Sequence, residues 1–167
     1  MTITMAMLTI RTENDPILRK KSREVEKISP RIKTLLDDMA DTMRKAEGVG
    51  LAGPQVGILK RVVVVECEPG KLIELINPVI VEREGTQLGR EGCLSLPGKC
   101  GIVARPMKVT VEATNRNGER FRITGSGLTA RAFCHEIDHL DGVLYPDVAQ
   151  RMLTDEELRK MSVESDD

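Results

Sequence analysis

His135-Glu136-Ile137-Asp138-His139 is the most informative stretch of this sequence, and it contains both of the chain's histidines. On a helix, positions i and i+4 lie on the same face, so the two imidazoles would stand one turn apart. Two imidazoles in this arrangement can bind one divalent metal ion, with Glu136 beside it to handle the protons of a bound water. The pattern therefore predicts a helix that carries a metal site.

The residues around the motif predict a helix from residue 127 to residue 141. Ser126 is a candidate N-cap, and Gly142 can adopt the left-handed conformation that closes a helix. An apolar face recurs with the helical period at Leu128, Ala132, Phe133, Ile137 and Leu140. The alternative is a solvated helix face that carries two histidines and several acids. The apolar face favours the metal site, because a buried histidine needs a partner.

A third protein ligand is required, since catalytic zinc-type sites use three and keep one position for water. With no third histidine, the candidates are cysteine, aspartate and glutamate. Cys134 points to another side of the helix, and Cys67 ends an apolar run typical of a buried strand. Cys93 lies in a segment rich in glycine and proline that we predict to be neither helix nor regular strand. A thiolate is a strong metal ligand, so the spacing favours Cys93.

Three segments together resemble the peptide deformylase family. They are Gly48-Val49-Gly50-Leu51-Ala52-Gly53-Pro54-Gln55, Glu91-Gly92-Cys93-Leu94-Ser95 and the His-Glu-x-x-His motif itself. Their order and separations are similar to those of the family, and Asp15-Pro16-Ile17-Leu18-Arg19 is similar to its opening. The resemblance runs from about Leu8 to about Val148. It implies an enzyme, a metal-dependent amide hydrolase that removes the formyl group from N-formylmethionine and releases formate.

The resemblance also implies site residues. The metal ligands that it implies are Cys93, His135 and His139. Glu136 would be the general acid and base. The side chain of Gln55 and the backbone N–H of Leu94 would donate hydrogen bonds to the formyl oxygen. Residues that flank these positions are assigned to substrate binding: Val49, Gly50, Gly92 and Cys134.

The same resemblance implies one divalent metal ion as the cofactor. Fe²⁺ is the expected native metal, and Zn²⁺, Ni²⁺ or Co²⁺ can replace it. The expected partner is the nascent N-formylmethionyl polypeptide, with the ribosome surface as a further candidate through basic runs such as residues 19–21. We also expect Glu91 to pair with Arg105 and so to brace the cysteine segment.

The sequence departs from the commonest family pattern in three places. Gly53 stands where alanine is usual, and Cys134 stands where glutamine often precedes the first histidine. Cys100 falls near a position at which many members carry an arginine close to the substrate backbone. The first two are neither ligands nor proton carriers, whereas the third bears on substrate affinity or sequence preference.

A metalloprotease of the His-Glu-x-x-His type is the alternative function. Such an enzyme needs a third ligand downstream, and Glu156 or Glu157 would be the candidate here. A metal-dependent binding protein without catalysis is a second alternative, and the presence of Glu136 argues against it.

Composition predicts one domain over residues 1–167, because this length can bury a sizeable core. The net charge of −1 predicts no strong attraction to nucleic acid or membranes. We find no secretory signal and no apolar stretch of membrane-spanning length. Four cysteines do not suggest a disulfide scaffold, and a thiolate ligand fits a reducing interior, so we expect a cytoplasmic protein.

The order of predicted elements indicates an α+β fold, with mixed or antiparallel sheets packed around the metal-binding helix. A first helix begins at Ser29 and Pro30. Strands are expected near residues 61–67, 72–76, 79–83, 107–113 and 119–124. Thr154 and Glu157 predict a capping box for a short last helix. Residues 1–6 match no element and are set apart as extra N-terminal residues, and residues 164–167 are predicted to be a frayed tail.

Overall fold

Eight strands and four α-helices form within residues 7–165, the part of the chain that this computed structural model describes. The strands are β1 (Gly50–Ala52), β2 (Val62–Val65), β3 (Ile73–Glu84), β4 (Gln87–Cys93), β5 (Leu96–Arg105), β6 (Lys108–Thr114), β7 (Arg120–Ser126) and β8 (Arg151–Met152). The helices are α1 (Pro30–Lys45), α2 (Leu128–Leu140), α3 (Tyr145–Val148) and α4 (Asp155–Ser165). Short 3-10 helices span Pro16–Arg19 and Gly53–Val56. Residues 1–6, which match no predicted element, lie outside the described part.

The strands form two sheets, and all six strand pairings are antiparallel. The larger sheet has the order β1-β2-β3-β6-β7, and the smaller one has the order β4-β5-β8. Strands β1 and β4 are therefore edge strands of different sheets. The predicted α+β class, with antiparallel sheets around a central helix, is confirmed.

The four valines of β2 explain how the helices pack against the larger sheet. Successive side chains of a strand point to opposite faces, and all four valines are fully buried. Val63 and Val65 belong to the same core cluster as Phe133 of α2. Val62 and Val64 belong to the core cluster of α1. The larger sheet thus lies between α1 and α2. One side of α2 packs against this sheet, and the other side carries the site described below.

The helix that carries the motif matches its prediction closely, except at its start. The residue at the N-cap is Gly127, with a φ of 59°, and Ser126 is the last residue of β7. Glycine suits this position because its φ is positive, which is strained for other residues, and its carbonyl accepts the first helical hydrogen bond, from the N–H of Arg131 at 3.0 Å. The predicted left-handed glycine after the helix is confirmed, with a φ of 74° at Gly142.

The segment around Cys93 differs from the prediction. Residues expected to be irregular form the end of β4 and the start of β5, and Cys93 pairs with Leu96 across a two-residue turn. A register shift between Glu91 and Cys93 marks a bulge in this hairpin. Glycine and proline lowered the apparent strand propensity, but a hairpin end tolerates both where the ladder is irregular.

Three further elements can be compared with their predictions. The two strands expected near residues 72–76 and 79–83 are one strand, β3, with an irregularity between Ile76 and Val79. The capping box is confirmed, because the N–H of Glu157 lies 3.2 Å from Thr154 Oγ1 and Glu157 Oε1 accepts from the N–H of Thr154 at 3.1 Å. Helix α4 includes residues 164 and 165, which were predicted to fray, and residues 166–167 lie outside the described range.

Within residues 7–165, none of the helices combines the length and the apolar composition that crossing a membrane requires.

Candidate active site and metal centre

Three candidate ligand atoms meet where α2 passes the end of β4. Cys93 Sγ lies 3.3 Å from His139 Nε2, which lies 3.3 Å from His135 Nε2. All three atoms lie within 4.8 Å of one another. His135 and His139 are one helical turn apart on α2, as the motif predicted. The hairpin of β4 and β5, in the smaller sheet, brings Cys93 to these two histidines.

This donor set fits a divalent metal ion. Ligand atoms bound to a tetrahedral ion at about 2.0–2.3 Å are themselves separated by roughly 3.3–3.8 Å, which matches the observed spacing. Burial lowers the pKa of His139, whereas at His135 the nearby Glu136, Cys93 and Glu91 outweigh burial and raise the pKa, so a bound metal would displace a proton from His135. The set of two imidazoles and one thiolate leaves the remaining coordination positions to water or substrate.

Glu91 orients the first histidine. Its Oε1 lies 2.6 Å from His135 Nδ1, so the carboxylate fixes the imidazole with Nε2 facing the other ligand atoms. Arg105 donates to both oxygens, at 2.7 and 3.2 Å, and Arg131 donates at 2.7 Å. Burial alone would raise the pKa of Glu91, but the hydrogen bonds from His135 and Arg105 outweigh it and lower the pKa to about 2. The carboxylate is therefore ionised wherever the protein is folded near neutral pH.

Arg105 links this carboxylate to a second one on α2. Its Nη1 donates to Asp138 at 2.7 Å, while its Nη2 donates to Glu91. The expected pairing of Glu91 with Arg105 is confirmed. Asp138 braces the arginine and takes no place in the ligand cluster.

Glu136 lies in the same site with its side chain buried. Burial raises the pKa of this carboxyl to about 7, and the nearby His135 opposes the shift. Its Oε2 lies 4.0 Å from His135 Nε2, and within the described residues Oε1 has no hydrogen-bond partner. A group with a pKa near neutrality and a free oxygen can both accept and donate a proton.

Gly50 makes room for this carboxylate. A Cβ atom at Gly50 would lie 2.5 Å from Glu136 Oε2, closer than any real contact of this kind. The backbone of β1 therefore approaches Glu136 directly, and only glycine allows that approach.

Gln55 is held rigidly beside Cys93. Its Oε1 accepts from the N–H of Ala52 at 3.0 Å, and its Nε2 donates to Ser95 Oγ at 3.1 Å and approaches Cys93 Sγ at 3.5 Å. The side-chain amide is thereby fixed next to the ligand cluster. Gly53 begins the 3-10 helix that carries Gln55, and a Cβ there would lie 2.6 Å from the carbonyl oxygen of Lys60. This backbone thus requires the glycine that departs from the usual alanine.

A cavity of about 350 Å³ opens onto the cluster between the edge strands β1 and β4. Residues 48–50 form one wall and residues 90–94 form the other. The lining includes the apolar residues Val49, Leu94, Leu128 and Ala132, and His135 and Glu136 lie in the same lining. Leu94 follows Cys93 in the hairpin turn, and its side chain packs against Gly48, where a Cβ would lie 2.6 Å away. An extended chain with one apolar side chain fits this shape.

Comparison with known proteins identifies the family. The family model described as "Polypeptide deformylase" matches residues 7–154. The chain belongs to the peptide deformylase family. It is a hydrolase that removes the N-formyl group from nascent peptides, and the enzymes of this family depend on a metal ion.

Individual relatives agree with this assignment. The peptide deformylase of Acetivibrio thermocellus is 57% identical over 156 residues, which cover 93% of this chain and 91% of the relative. That of Finegoldia magna is 54% identical, with 96% of this chain and 99% of the relative covered. The crystal structure of peptide deformylase from Thermotoga maritima superposes with a TM-score of 0.84 at 38% identity, covering 87% of this chain and 99% of that one. A deformylase from Synechococcus elongatus, solved with actinonin, gives 0.83 at 35% identity, covering 98% of this chain and 91% of that one.

Most residues that the deformylase resemblance singled out lie together, but Cys134 does not. Cys93, His135, Glu136, Gln55, Val49, Gly50, Gly92 and Leu94 all line the cavity, and His139 completes the ligand cluster. Cys134 lies in the core cluster between α2 and the larger sheet. Neighbouring residues on a helix point about 100° apart, and on this side of His135 the rotation turns Cys134 toward the larger sheet. The assignment of Cys134 to substrate binding is therefore dropped. Cys100 is also buried, in β5, and does not line the cavity.

Sequence reasoning missed Arg131 and Arg90. Arg131 lies one helical turn before His135, on the face that also carries His139, and this spacing could have revealed it. Arg90 alternates with Glu91 on β4, but β4 itself was not predicted.

The residues proposed as the third ligand of a metalloprotease lie elsewhere. Glu157 accepts two hydrogen bonds from Arg151, at 2.8 and 2.9 Å, on the exposed surface of α4. Neither Glu156 nor Glu157 belongs to the ligand cluster. The candidate third ligand in the cluster is therefore Cys93, and not the glutamate of the metalloprotease alternative.

Proposed function

We propose that Cys93, His135 and His139 hold the catalytic metal of this deformylase, and that Glu136 moves the protons of the reaction. The supporting observation is that these three donors and Glu136 converge at one end of a cavity open to an extended peptide. The substrate is a polypeptide that begins with N-formylmethionine.

The metal, when bound, supplies a Lewis acid that lowers the pKa of a water to about 7. Glu136 accepts a proton from the attacking water as its oxygen adds to the formyl carbon. The bond between the formyl carbon and the methionine nitrogen then breaks. Glu136 delivers the proton to that nitrogen, so the products are formate and a free amino terminus.

Two donors stabilise the negative charge that develops on the formyl oxygen. Gln55 supplies its side-chain amide, which is fixed beside Cys93 by Ala52 and Ser95. Leu94 supplies its backbone N–H, one residue after the ligand Cys93. Donors fixed in advance need no reorganisation during the reaction, and each contributes on the order of 3 kcal/mol.

The edge strands on each side of the cavity orient the substrate. Strands β1 and β4 both have an unpaired edge, so an extended peptide can add between them by backbone hydrogen bonds. Gly50 and Gly92 let its backbone approach closely, and Val49 lies against the methionine side chain together with Leu128 and Ala132.

Fe²⁺ is the native metal in this proposal, and Zn²⁺, Ni²⁺ and Co²⁺ are substitutes. All four accept imidazole nitrogen, and a thiolate suits the softer members of the series. Because the substrate is a nascent chain, the proposed location is the cytoplasm. Contact with the ribosome surface through basic residues 19–21 remains part of the proposal.

The test is formate release from formyl-Met-Ala-Ser by protein purified without oxygen and loaded with Fe²⁺. The parent should release formate, whereas Glu136→Gln should keep its metal and lose about 10²–10⁴-fold in kcat. Unformylated Met-Ala-Ser-Ala is the matched substrate for the metalloprotease alternative. Cleavage of the unformylated peptide, together with no release of formate from formyl-Met-Ala-Ser, would overturn the proposal.

A further inference from the structure

The direction in which a substrate runs along β4 follows from the position of Cys93. Cys93 is the last residue of β4, so the formyl group lies at the carboxyl end of this strand. The rest of the peptide must extend away from the ligand cluster, back toward Gln87. A peptide paired with this edge therefore runs antiparallel to β4.

The faces of β4 decide which substrate residues meet which side chains. Glu91 points inward, where it holds His135, and the cavity for the methionine side chain is on that side. Leu88, Arg90 and Gly92 alternate with it on the outer face, and all three are exposed. Side chains opposite each other on paired strands share a face. The bulge between Glu91 and Cys93 lies in the pairing with β5, so we count one substrate residue for each residue of β4 along its free edge. With methionine beside Cys93, residue 2 of the substrate then lies beside Gly92, residue 4 beside Arg90 and residue 6 beside Leu88.

Arg90 is a free cation on this path. Its side chain is exposed at the edge of the cavity lining, and it has no ion-pair partner among the residues that the structure describes. Of the other charged side chains in the lining, Glu91 and Arg131 neutralise each other at 2.7 Å, and Glu136 is buried beside His135. Glu47 lies on the opposite wall. Arg90 thus offers its charge to an acidic side chain on its own face of the substrate.

Leu88 is the most exposed large apolar side chain in the described part of the chain, at 60%. Its neighbour Gln87 donates to the carbonyl of Pro106 at 3.1 Å, and Met107, which follows Pro106, is 45% exposed. Two exposed apolar side chains therefore lie at the far end of the strand that borders the active site. Single exposed leucines are common, but this one continues the row that begins at the cavity.

We propose that the outer row of β4 is an extended substrate-binding surface, in which Arg90 favours an acidic fourth residue and Leu88 favours an apolar sixth residue. This inference rests on the proposed deformylase function of the cavity. It makes the enzyme sensitive to the chain well beyond the formylmethionine, through binding and not through the chemical step.

The experiment compares kcat/KM for formyl-Met-Ala-Ser with that for formylated hexapeptides. In the series formyl-Met-Ala-Ser-X-Ala-Leu, X is Asp, Asn or Lys. We expect Asp to exceed Lys by about two- to fivefold, mainly through KM, as for an exposed ion pair. Moving Asp to position 3 or 5 places it on the other face of the substrate and should abolish the preference. Asp at position 2 is diagonal to Arg90 and should keep part of the preference. Replacing Leu by Ser at position 6 should lower kcat/KM by about threefold or more.

Variants assign each preference to its side chain. Arg90→Gln should remove the preference for Asp, and Arg90→Glu should reverse it, while Leu88→Ser should remove only the preference at position 6. Val79→Ser and Arg159→Glu, at exposed positions that do not line this cavity, are the matched controls. About 0.5 M salt should weaken the preference for Asp and leave that for Leu.

The short peptide separates the two proposals. No release of formate from formyl-Met-Ala-Ser overturns the proposed function itself. Release from that peptide with equal kcat/KM for all hexapeptides, or with preferences unchanged in Arg90→Glu and Leu88→Ser, overturns the extended surface alone.

Discussion

The carboxylate of Glu91 lies 2.6 Å from Nδ1 of His135, and this contact joins the two halves of the site. Glu91 belongs to the smaller sheet, and His135 belongs to the helix packed on the larger one. The same carboxylate accepts from two buried arginines, Arg105 and Arg131. A single side chain thus orients a proposed metal ligand and neutralises buried charge.

Glu91→Gln is predicted to destabilise the metal-free protein at neutral pH. Removing the charge leaves Arg105 and Arg131 buried without their shared partner, which should cost about 3–5 kcal/mol. Urea unfolding of chelator-treated protein, followed by circular dichroism, measures this. Glu112→Gln is the control, since its pairing with Arg122 is at the surface, and it should change stability by less than about 1 kcal/mol.

The pH dependence of stability is a separate prediction for Glu91. Its pKa is about 2 in the folded protein and 4.5 ordinarily, so the unfolded chain binds the proton more tightly. The stabilisation is complete above pH 4.5 and is lost as the pH falls toward 2, by at most about 3 kcal/mol. Unfolding free energies of metal-free parent and Glu91→Gln should therefore converge between these pH values. Parallel curves would contradict the assignment.

Cys93→Ala is predicted to abolish stable metal binding. With two imidazoles left, the site lacks the third ligand that such centres require. Metal analysis after desalting should give about one ion per chain in the parent and almost none in the variant. Cys67→Ala and Glu157→Gln should keep the metal, because neither side chain belongs to the ligand cluster. A fully loaded Cys93→Ala protein would refute the ligand assignment.

Gly50→Ala is predicted to lower kcat by about 10–100-fold while the metal content stays unchanged. The added Cβ would lie 2.5 Å from Glu136 Oε2, so the carboxylate must move away from its working position. Steady-state kinetics and metal analysis together test this. Gly70→Ala controls for a general loss of stability. Its φ of 83° is strained for alanine, but no atom lies within 4 Å of the added Cβ. Equal kcat losses in both variants would count against the clash.

Gln55→Leu is predicted to lower kcat by about 10²–10³-fold with little change in KM, because its amide stabilises charge that develops only in the transition state. Ser95→Ala removes only the acceptor of one Gln55 hydrogen bond, at 3.1 Å, and should have a smaller effect. An increase in KM alone for Gln55→Leu would instead indicate ordinary substrate binding.

The helical site was predictable because its signal is local. His135 and His139 are four residues apart, and the helical repeat alone brings them to one face. The flanking apolar residues likewise predicted burial of α2, and the capping box of Thr154 and Glu157 predicted the start of α4. Each of these three features depends on interactions between residues a few positions apart, so it can be predicted from the local sequence.

The hairpin of β4 and β5 was not predictable in the same way. Strand pairing is a contact between segments, and glycine and proline near Cys93 obscured the alternation that reveals a strand. Without β4, the inner and outer faces of Glu91 and Arg90 could not be distinguished. Cys134 was misassigned for a related reason, because adjacency in sequence to His135 does not mean adjacency in space on a helix.

The sequence by itself determined the chemistry of the candidate ligands, the helix that carries two of them, and the family. Only the tertiary structure decided that Cys93 and His139, 46 positions apart, meet at 3.3 Å. It also decided that Glu91 joins the smaller sheet to α2 and that Gly50 lies against Glu136. The physical reason is that helix periodicity acts over one turn, whereas the meeting of two sheet edges depends on the packing of the whole core.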